Sequence, residues 1–223
     1  MTKMVAAGRP RRPIPGRSPV IERGATDEFP GLGRVEQLVL RGDGLTTTSL
    51  EILTGDTITV RVNGHWSITV PGRTDPAFTS AMFTDDAPDV SEYLATAHAR
   101  LEAQPGEVLL VRDVLLVGSS GRVHGSAEVI ARHTALPAKV ADALASTDQP
   151  IGRLLRDHAV GVTRELRTWG FMPAGPQARH LSPELTSLSR VLGRTYVMRL
   201  TSTGTPLAVL TERFASHVFT PAR

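Results

Sequence analysis

Short apolar stretches, some alternating with polar residues and some continuous, predict a protein built mainly from β-hairpins. Residues 107–117 and 122–132 are two such stretches, and the Ser-Ser-Gly turn at 119–121 between them predicts a central hairpin. Thr195–Leu200 and Leu207–Phe214 predict a second hairpin near the end of the chain. Hairpins join antiparallel strands, so these four segments indicate an antiparallel sheet.

Further strands are predicted on either side of the central hairpin. Asp56–Asn63 alternates apolar and polar residues, and the dipeptide Asn63-Gly64 that ends it is a strong signal for a tight hairpin turn. We therefore expect the chain to turn back there into a return strand, His65–Val70. His158–Thr168 alternates enough to predict another strand.

Five segments show helical spacing of apolar residues or a helix-start signal, and they predict short helices. They are Val35–Arg41, Thr47–Leu53, Asp89–Ala99, Pro137–Ala145 and Pro150–Leu155. The first of these could also form a strand, but the spacing of its apolar residues favours a helix. Pro150 suits a first helical turn, because the backbone N–H that proline lacks has no intrahelical partner there. Hairpins with short helices between them indicate the α+β class.

Proline and glycine are concentrated in three stretches that predict little regular structure. Residues 71–88 are expected to form a loop, and residues 170–184 a loop or lid. Residues 1–30 are rich in Pro, Gly and Arg and cannot bury enough surface to order themselves. We therefore expect a flexible basic tail over 1–30 and one folded domain over 31–223.

Composition and charge narrow the possible functions. The chain has 40% hydrophobic but only 4% aromatic residues, so the core must be aliphatic. It has no cysteine, which excludes disulfides, thiolate zinc sites and a cysteine nucleophile. Six of the 25 basic and three of the 22 acidic residues lie in 1–30, which leaves 19 of each in 31–223. A neutral domain lacks the basic footprint of a nucleic-acid binder, so no nucleic-acid partner is expected.

Membrane and cofactor signals are also missing from the sequence. No apolar run reaches the roughly 18 residues of a membrane span, and the basic N-terminus lacks the apolar core of a secretory signal, so we expect a cytoplasmic protein without a membrane partner. There is no Gly-rich dinucleotide fingerprint, no phosphate-binding Walker loop and no His-x-x-x-His pair. Asp85, Asp86 and Asp89 are interpreted as a solvated loop with a helix cap rather than a metal site.

Two ionisable residues interrupt strongly apolar strands. Arg112 lies within 107–117, and Glu212 follows the apolar start of the last strand. An ionised group inside an apolar strand is costly unless something pairs with it. An Arg and a Glu that face one cavity suit a small ligand with a carboxylate at one end and a hydroxyl at the other. Two simpler pairings remain open: Arg112 with Asp113 or Glu128, and Glu212 with Arg199 across the hairpin.

Several stretches, in order along the chain, resemble the bacterial chorismate pyruvate-lyase family over residues 40–216. They are Asp43–Thr47, Leu110–Leu116 with its arginine, Gln149–Leu155 with Pro-Ile-Gly at a helix start, Arg194–Arg199, and Pro206–Phe214 with Thr-Glu at 211–212. Each motif is weak alone, and their order carries the resemblance. It implies an antiparallel sheet with helices packed on one face and a pocket closed off from solvent.

The resemblance also implies an activity and the residues that carry it. The family eliminates pyruvate from chorismate to give 4-hydroxybenzoate without a cofactor, so the expected partner is this small-molecule substrate. Arg112 would bind the ring carboxylate and Glu212 the ring hydroxyl, as the catalytic pair. For Glu212 two roles stay open, orienting the hydroxyl or assisting proton removal as a general base. Backbone N–H groups near Thr46 and Ile151 would complete the carboxylate site. Thr46 departs from the apolar residue that the family can have there, and Ala127 falls near a position where a relative carries arginine.

Two other functions stay open on the sequence. The first is a non-catalytic domain of the same fold that binds a small aromatic acid, as the effector domains of some transcription regulators do. Residues 1–30 are too rich in Pro and Gly for the DNA-binding helix-turn-helix that such regulators carry. The second is a lyase for a related enolpyruvyl substrate. The sequence leaves the oligomeric state open.

Overall fold

The computed structural model describes residues 31–42, 45–71 and 95–220. The predicted tail over 1–30 lies outside these residues. So does the predicted loop over 71–88, apart from Pro71. Of the predicted helix Asp89–Ala99, the described end enters a π-helical turn, Ala97–Leu101.

All the described strands form one antiparallel sheet of six strands, in the order β1-β2-β3-β6-β5-β4. The strands are β1 Ile58–Thr69, β2 Val108–Gly118, β3 Val123–Arg132, β4 Val162–Pro173, β5 Arg190–Leu200 and β6 Pro206–Phe214. The two predicted hairpins, β2–β3 and β5–β6, are confirmed, and the pairing of β3 with β6 joins them. The α+β class with a single antiparallel sheet is therefore confirmed.

The described helices are short, as the sequence predicts. They are α1 Arg34–Arg41, α2 Thr46–Thr54, α3 Ala138–Ser146, α4 Ile151–Asp157 and α5 Ala178–Leu181. Two 3₁₀ turns, His133–Ala135 and Ser216–Phe219, complete the regular structure. No helix within the described part of the chain is long and apolar enough to cross a membrane.

The four longer helices pack on one face of the sheet, which we call the site face. Buried residues of α3 and α4 form a cluster with Leu110, Val129 and Leu210 of the sheet. Buried residues of α1 and α2 pack with Leu116 and Phe214 farther along the same face. Alternate strand residues point to opposite faces, so these positions also place Arg112 and Glu212 on the site face.

The opposite face carries a second apolar cluster and two short elements. Val111, Ile130 and Val209 pack there against Leu101 of the π-helical turn. Gln177, at the start of α5, donates to Asp113 Oδ2 at 3.1 Å on this face. The expectation of helices packed on one face therefore holds for the four longer helices. The short helix α5 and the π-helical turn lie against the other face.

The predicted hairpin at Asn63-Gly64 is wrong. Ile58–Thr69 is one continuous strand that pairs along its length with β2, and the pairing register shifts only between Val62 and Gly64. The backbone hydrogen bonds that form along the whole length of β2 stabilise the extended strand more than the Asn-Gly dipeptide stabilises a turn. Gly64 fits this bulge because a Cβ there would lie 2.7 Å from the ring of Trp66.

The predicted boundaries around β4 are also wrong. The strand begins at Val162 rather than His158, and it continues to Pro173, inside the segment expected to be a loop or lid. β5 begins as early as Arg190 and supplies partners for these extra residues. Pro173 is tolerated because β4 is an edge strand and the proline stands at its end.

Candidate active site

A cavity of about 620 Å³ lies on the site face, between the sheet and the first turns of α2 and α4. Its floor is mostly apolar and includes Val114, Ala127, Val129, Met198 and Leu210. The N-terminal residues of α2 and of α4 form its roof. All four residues expected to bind substrate line this cavity: Thr46, Arg112, Ile151 and Glu212.

Arg112 forms one wall of the cavity and is almost fully buried. Its side chain is 2% exposed, and its Nη1 donates to the carbonyl oxygen of Gln149 at 2.9 Å. Its Nη2 donates to the carbonyl oxygen of Thr147. These bonds aim the guanidinium under the loop between α3 and α4, while its buried Nε has no hydrogen-bond partner within the described part of the chain.

Among the residues that the structure describes, Arg112 has no buried counter-ion. The carboxylate of Asp148 lies 4.0 Å from Nη2, but that side chain is 81% exposed and is screened by water. Asp113 and Glu128 belong to the opposite face, so the predicted ion pair of Arg112 with either is wrong. Burial lowers the pKa of Arg112, with the charge of Asp148 acting in the opposite direction. A buried guanidinium with a free donor and no buried partner is suited to bind an anion.

Glu212 is 4% exposed and accepts hydrogen bonds from three side chains. Its Oε1 accepts from Thr46 Oγ1 at 2.5 Å and from the Tyr196 hydroxyl at 3.1 Å, and its Oε2 accepts from Arg194 Nε at 2.6 Å. A carboxylate has about four acceptor positions, so these donors leave room for one more. Glu212 can therefore accept a hydrogen bond from a ligand hydroxyl without losing its support.

Arg194 is a functional residue that sequence reasoning missed. It is 3% exposed, and its Nη1 donates to the carbonyl oxygens of Val39 at 2.8 Å and Gly42 at 2.5 Å, so it ties α1 to the sheet. Its Nη2 donates to Thr46 Oγ1 at 2.9 Å. The predicted pairing of Glu212 with Arg199 is wrong, because Arg199 Nε bonds Glu165 at 3.1 Å. The register of the β5–β6 hairpin places Arg194 opposite Glu212. Counting back from the turn would point to Gly193 instead, because the register shifts between Met198 and Arg199.

Thr46 and Ile151 stand at the first turns of the two roof helices. Thr46 contributes its side chain, through Glu212 and Arg194, as well as its backbone. The first backbone hydrogen bonds of α4 are made by the N–H groups of Arg153 and Leu154, which both donate to the carbonyl oxygen of Pro150. The N–H of Ile151 precedes these bonds, as the first N–H groups of a helix do. The Ile151 side chain is 4% exposed and packs in the core below α4.

Two further cavity residues extend the site beyond the predicted set. Burial raises the pKa of the Tyr196 phenol, as does the charge of Glu212, so Tyr196 acts as a neutral donor. Arg164 is half-buried on β4 and lines the cavity. Ala127 lies between Val114 and Glu212 in the sheet, where a larger side chain would fill the floor.

Comparison with solved structures shows the fold in other proteins. PhnF from Mycobacterium smegmatis matches with a TM-score of 0.51 at 12% identity, covering 80% of this chain and 67% of that chain. The effector domain of PhnF from the same organism matches with a TM-score of 0.51 at 13% identity, covering 79% of this chain and 91% of that chain. At such low identity the likeness concerns the fold alone. No curated protein matches the sequence.

A family model supplies the more specific relationship. The model described as "Chorismate pyruvate-lyase Rv2949c-like" matches residues 40–220, which include the whole sheet, α2, α3 and α4, and only the end of α1. The match covers far more than half of the chain and includes every residue of the cavity. The chain therefore belongs to the chorismate pyruvate-lyase Rv2949c-like family.

Proposed function

We propose that this protein is a chorismate lyase, which eliminates pyruvate from chorismate and releases 4-hydroxybenzoate without a cofactor. The observation that carries the proposal is the placement of Arg112 and Glu212, both at least 95% buried, on the walls of one cavity. Membership of the chorismate pyruvate-lyase Rv2949c-like family supports it. The catalytic domain of this proposal is residues 31–223, without the basic segment 1–30.

Arg112 binds the ring carboxylate in this proposal. Its planar guanidinium matches the two oxygens of a carboxylate, and its buried Nε has a hydrogen to donate. A ligand carboxylate also supplies a buried counter-ion, which the described residues do not offer to this cation. The N–H groups near Ile151 and Thr46, at the first turns of the roof helices, add donors to the bound ligand.

Glu212 accepts a hydrogen bond from the ring hydroxyl. The carboxylate and the hydroxyl of the substrate lie at opposite ends of the ring, so binding both ends fixes the ring across the apolar floor. In the elimination, the bond between the ring and the ether oxygen breaks, and the hydrogen on the hydroxyl-bearing carbon leaves that carbon. If the hydrogen passes to the enolpyruvyl methylene, the ring becomes aromatic and pyruvate forms in a single step.

Glu212 serves as an orienting acceptor in this mechanism. Three donors already hold its carboxylate, and a residue held this way positions the hydroxyl well. The rest of the catalysis is selection of one reactive conformer and exclusion of water by the roof helices. Aromatisation makes the reaction downhill, so the site needs to supply positioning rather than a redox group.

A coupled pyruvate assay tests the proposal. The purified full chain with chorismate alone is expected to release pyruvate and 4-hydroxybenzoate in equal amounts, the second identified by mass. Arg112→Ala and Glu212→Ala are expected to lose this activity, with circular dichroism used to check that each variant is folded. Absence of pyruvate release by the wild-type protein, or wild-type turnover in both variants, would refute the proposal.

A second candidate is a domain that binds a small aromatic acid and does not convert it. The observation in its favour is the shared fold with the effector domain of PhnF. The same cavity would then hold 4-hydroxybenzoate or a similar acid between Arg112 and Glu212. Tight binding of 4-hydroxybenzoate in calorimetry, together with no pyruvate release, would favour this candidate.

A third candidate is a lyase for a related enolpyruvyl substrate. Comparing the turnover of chorismate with that of an amino analogue distinguishes it from a chorismate lyase.

A further inference from the structure

Chorismate has two carboxylates. The proposed function assigns the ring carboxylate to Arg112, and the second carboxylate is on the enolpyruvyl side chain. Four arginines line the cavity: Arg112, Arg153, Arg156 and Arg164. The side chains of Arg153 and Arg156 are 63% and 62% exposed, and both lie within 4 Å of the Asp157 carboxylate. Arg164 is half-buried and enters the cavity from the sheet, so it is better placed than either to contact a bound molecule.

Arg164 and Arg112 stand on opposite sides of the cavity. Arg112 is on β2 and Arg164 is on the edge strand β4, with β3, β6 and β5 between them. Four strand steps separate the two backbones by roughly 19 Å. Both side chains line the same cavity, from opposite ends of its floor. Glu212, on the middle strand β6, lies between them.

The position of the Arg164 guanidinium is defined by two neighbours. A Cβ placed on Gly152 would lie 3.7 Å from Arg164 Nη2, so the guanidinium lies against the first turn of α4. Although burial raises the pKa of Tyr196, the charge of Arg164 acts in the opposite direction, as expected for a cation near the phenol. The Tyr196 hydroxyl donates to Glu212 Oε1, so Arg164 lies on the side of the cavity where the substrate hydroxyl would bind.

The chemistry of the substrate brings its second carboxylate to this side. In chorismate the ring carbon that bears the ether is bonded to the carbon that bears the hydroxyl. A hydroxyl bound at Glu212 therefore places the enolpyruvyl group beside Glu212, away from Arg112. We propose that Arg164 binds the carboxylate of the enolpyruvyl side chain, which makes the cavity a site for two anionic groups. This inference rests on the proposed function and deepens it.

The two ligands of the proposed reaction test it, because chorismate has both carboxylates and 4-hydroxybenzoate has only the one assigned to Arg112. We would measure the KM of chorismate from initial rates and the Kd of 4-hydroxybenzoate by calorimetry. Arg164→Gln is expected to raise the KM of chorismate by about tenfold, the loss typical of one charge-assisted hydrogen bond, and to leave the Kd of 4-hydroxybenzoate unchanged. Arg164→Lys keeps the charge and is expected to recover part of the loss.

Arg61→Gln is the control, since it removes an exposed cation of β1 that does not line the cavity, and it is expected to change neither constant. Equal weakening of both ligands by Arg164→Gln, or no effect on chorismate, would overturn the inference while pyruvate release by the wild-type protein still supports the proposed function. If the wild-type protein binds chorismate without releasing pyruvate, the proposed function fails. The Kd of chorismate is then measured in place of its KM. Weaker binding of chorismate with unchanged binding of 4-hydroxybenzoate in Arg164→Gln would still support the role of Arg164. Binding of neither ligand overturns both proposals.

Discussion

Arg194 and Glu212 lie directly opposite each other on β5 and β6, with Nε of Arg194 2.6 Å from Oε2 of Glu212. Both side chains are more than 95% buried. Burying two charges is costly, and their attraction offsets that cost only where further hydrogen bonds satisfy both groups. Thr46 supplies such bonds to both partners, accepting from Arg194 and donating to Glu212. The pair therefore connects α2 to the sheet and fixes the carboxylate at the cavity wall.

Removing one partner of this pair should destabilise the protein. Glu212→Ala leaves the Arg194 guanidinium buried without its carboxylate, and we expect a loss of about 3–5 kcal/mol in the free energy of unfolding. Urea denaturation measures the change. The double variant Arg194→Met, Glu212→Leu removes both charges and should recover much of the stability while remaining without pyruvate release. A single variant as stable as the wild type would contradict the role given to the pair.

Replacing Arg112 should affect catalysis more than any exposed arginine does. Arg112→Gln removes the charge that binds the ring carboxylate, and a loss of about 3 kcal/mol corresponds to a decrease of roughly 100-fold in kcat/KM. The coupled pyruvate assay measures it. Arg61→Gln, on the neighbouring strand and exposed to solvent, is the control and should keep wild-type turnover. Equal effects of the two substitutions would indicate a general change in charge rather than a binding role.

Thr46 offers a milder test of how Glu212 is positioned. Thr46→Val keeps the shape of the side chain and removes the hydroxyl that bonds Glu212 and Arg194. We expect kcat to fall by about tenfold, because the loss of such a bond costs about 1–2 kcal/mol. Thr46→Ser restores the hydroxyl and should restore most of the rate. If the serine variant is as slow as the valine variant, the packing of Thr46 matters rather than its hydroxyl.

Stability should fall at mildly acidic pH through His217. Burial lowers the pKa of His217 to about 4 from its usual 6.5, and the charges of Arg122 and His124 add to the effect. In the unfolded chain His217 takes up a proton near pH 6.5, whereas in the folded protein it stays neutral until about pH 4. Protonation therefore favours the unfolded state between these pH values. The contribution of neutral His217 to stability is complete above pH 6.5 and is lost as the pH falls toward 4. Urea midpoints measured from pH 7 to about pH 5 should therefore decrease.

His217→Gln is expected to flatten this pH dependence. His217 Nε2 lies 3.1 Å from His124 Nδ1, and His124 Nε2 lies 3.2 Å from Asp56 Oδ2, so the substitution changes one end of a chain of hydrogen bonds. Hydrogen bonds from Ser119, Ser120 and His124 lower the pKa of Asp56, whose contribution is lost only at more acidic pH. An unchanged slope in the variant would assign the pH dependence to other groups.

Much of the fold and the main pair of site residues could be predicted because the signals are local. The apolar stretches 107–117 and 122–132, with the turn between them, identify β2 and β3, and the apolar surroundings make Arg112 and Glu212 conspicuous as charges on apolar strands. A charge in such a place needs a partner or a ligand whatever the rest of the fold does. The prediction that both face one cavity is confirmed by the lining of that cavity, while their catalytic roles stay a proposal.

The errors occurred where a distant partner outweighed a local signal. Asn63-Gly64 favours a tight turn, yet β2 is long enough to pair with the whole of Ile58–Thr69, and the turn dipeptide becomes part of a bulge. Arg194 was missed because the predicted strand began one residue too late, at Thr195. Even with the strand extended toward Arg190, counting from the turn points to Gly193, and the register shift between Met198 and Arg199 is what places Arg194 opposite Glu212.

The sequence by itself determined most of the strand segments, the two confirmed hairpins and the two charged positions that had to be explained, because apolar patterning and turn residues act over a few neighbouring positions. The tertiary structure decided that β3 pairs with β6, which puts Arg112 and Glu212 on one face with a single strand between them. It also decided that Thr46, 166 residues away along the chain, donates to Glu212, and that Arg164 reaches the same cavity. Such contacts depend on how separate segments pack together, and the pattern of apolar residues within one segment does not specify its partners.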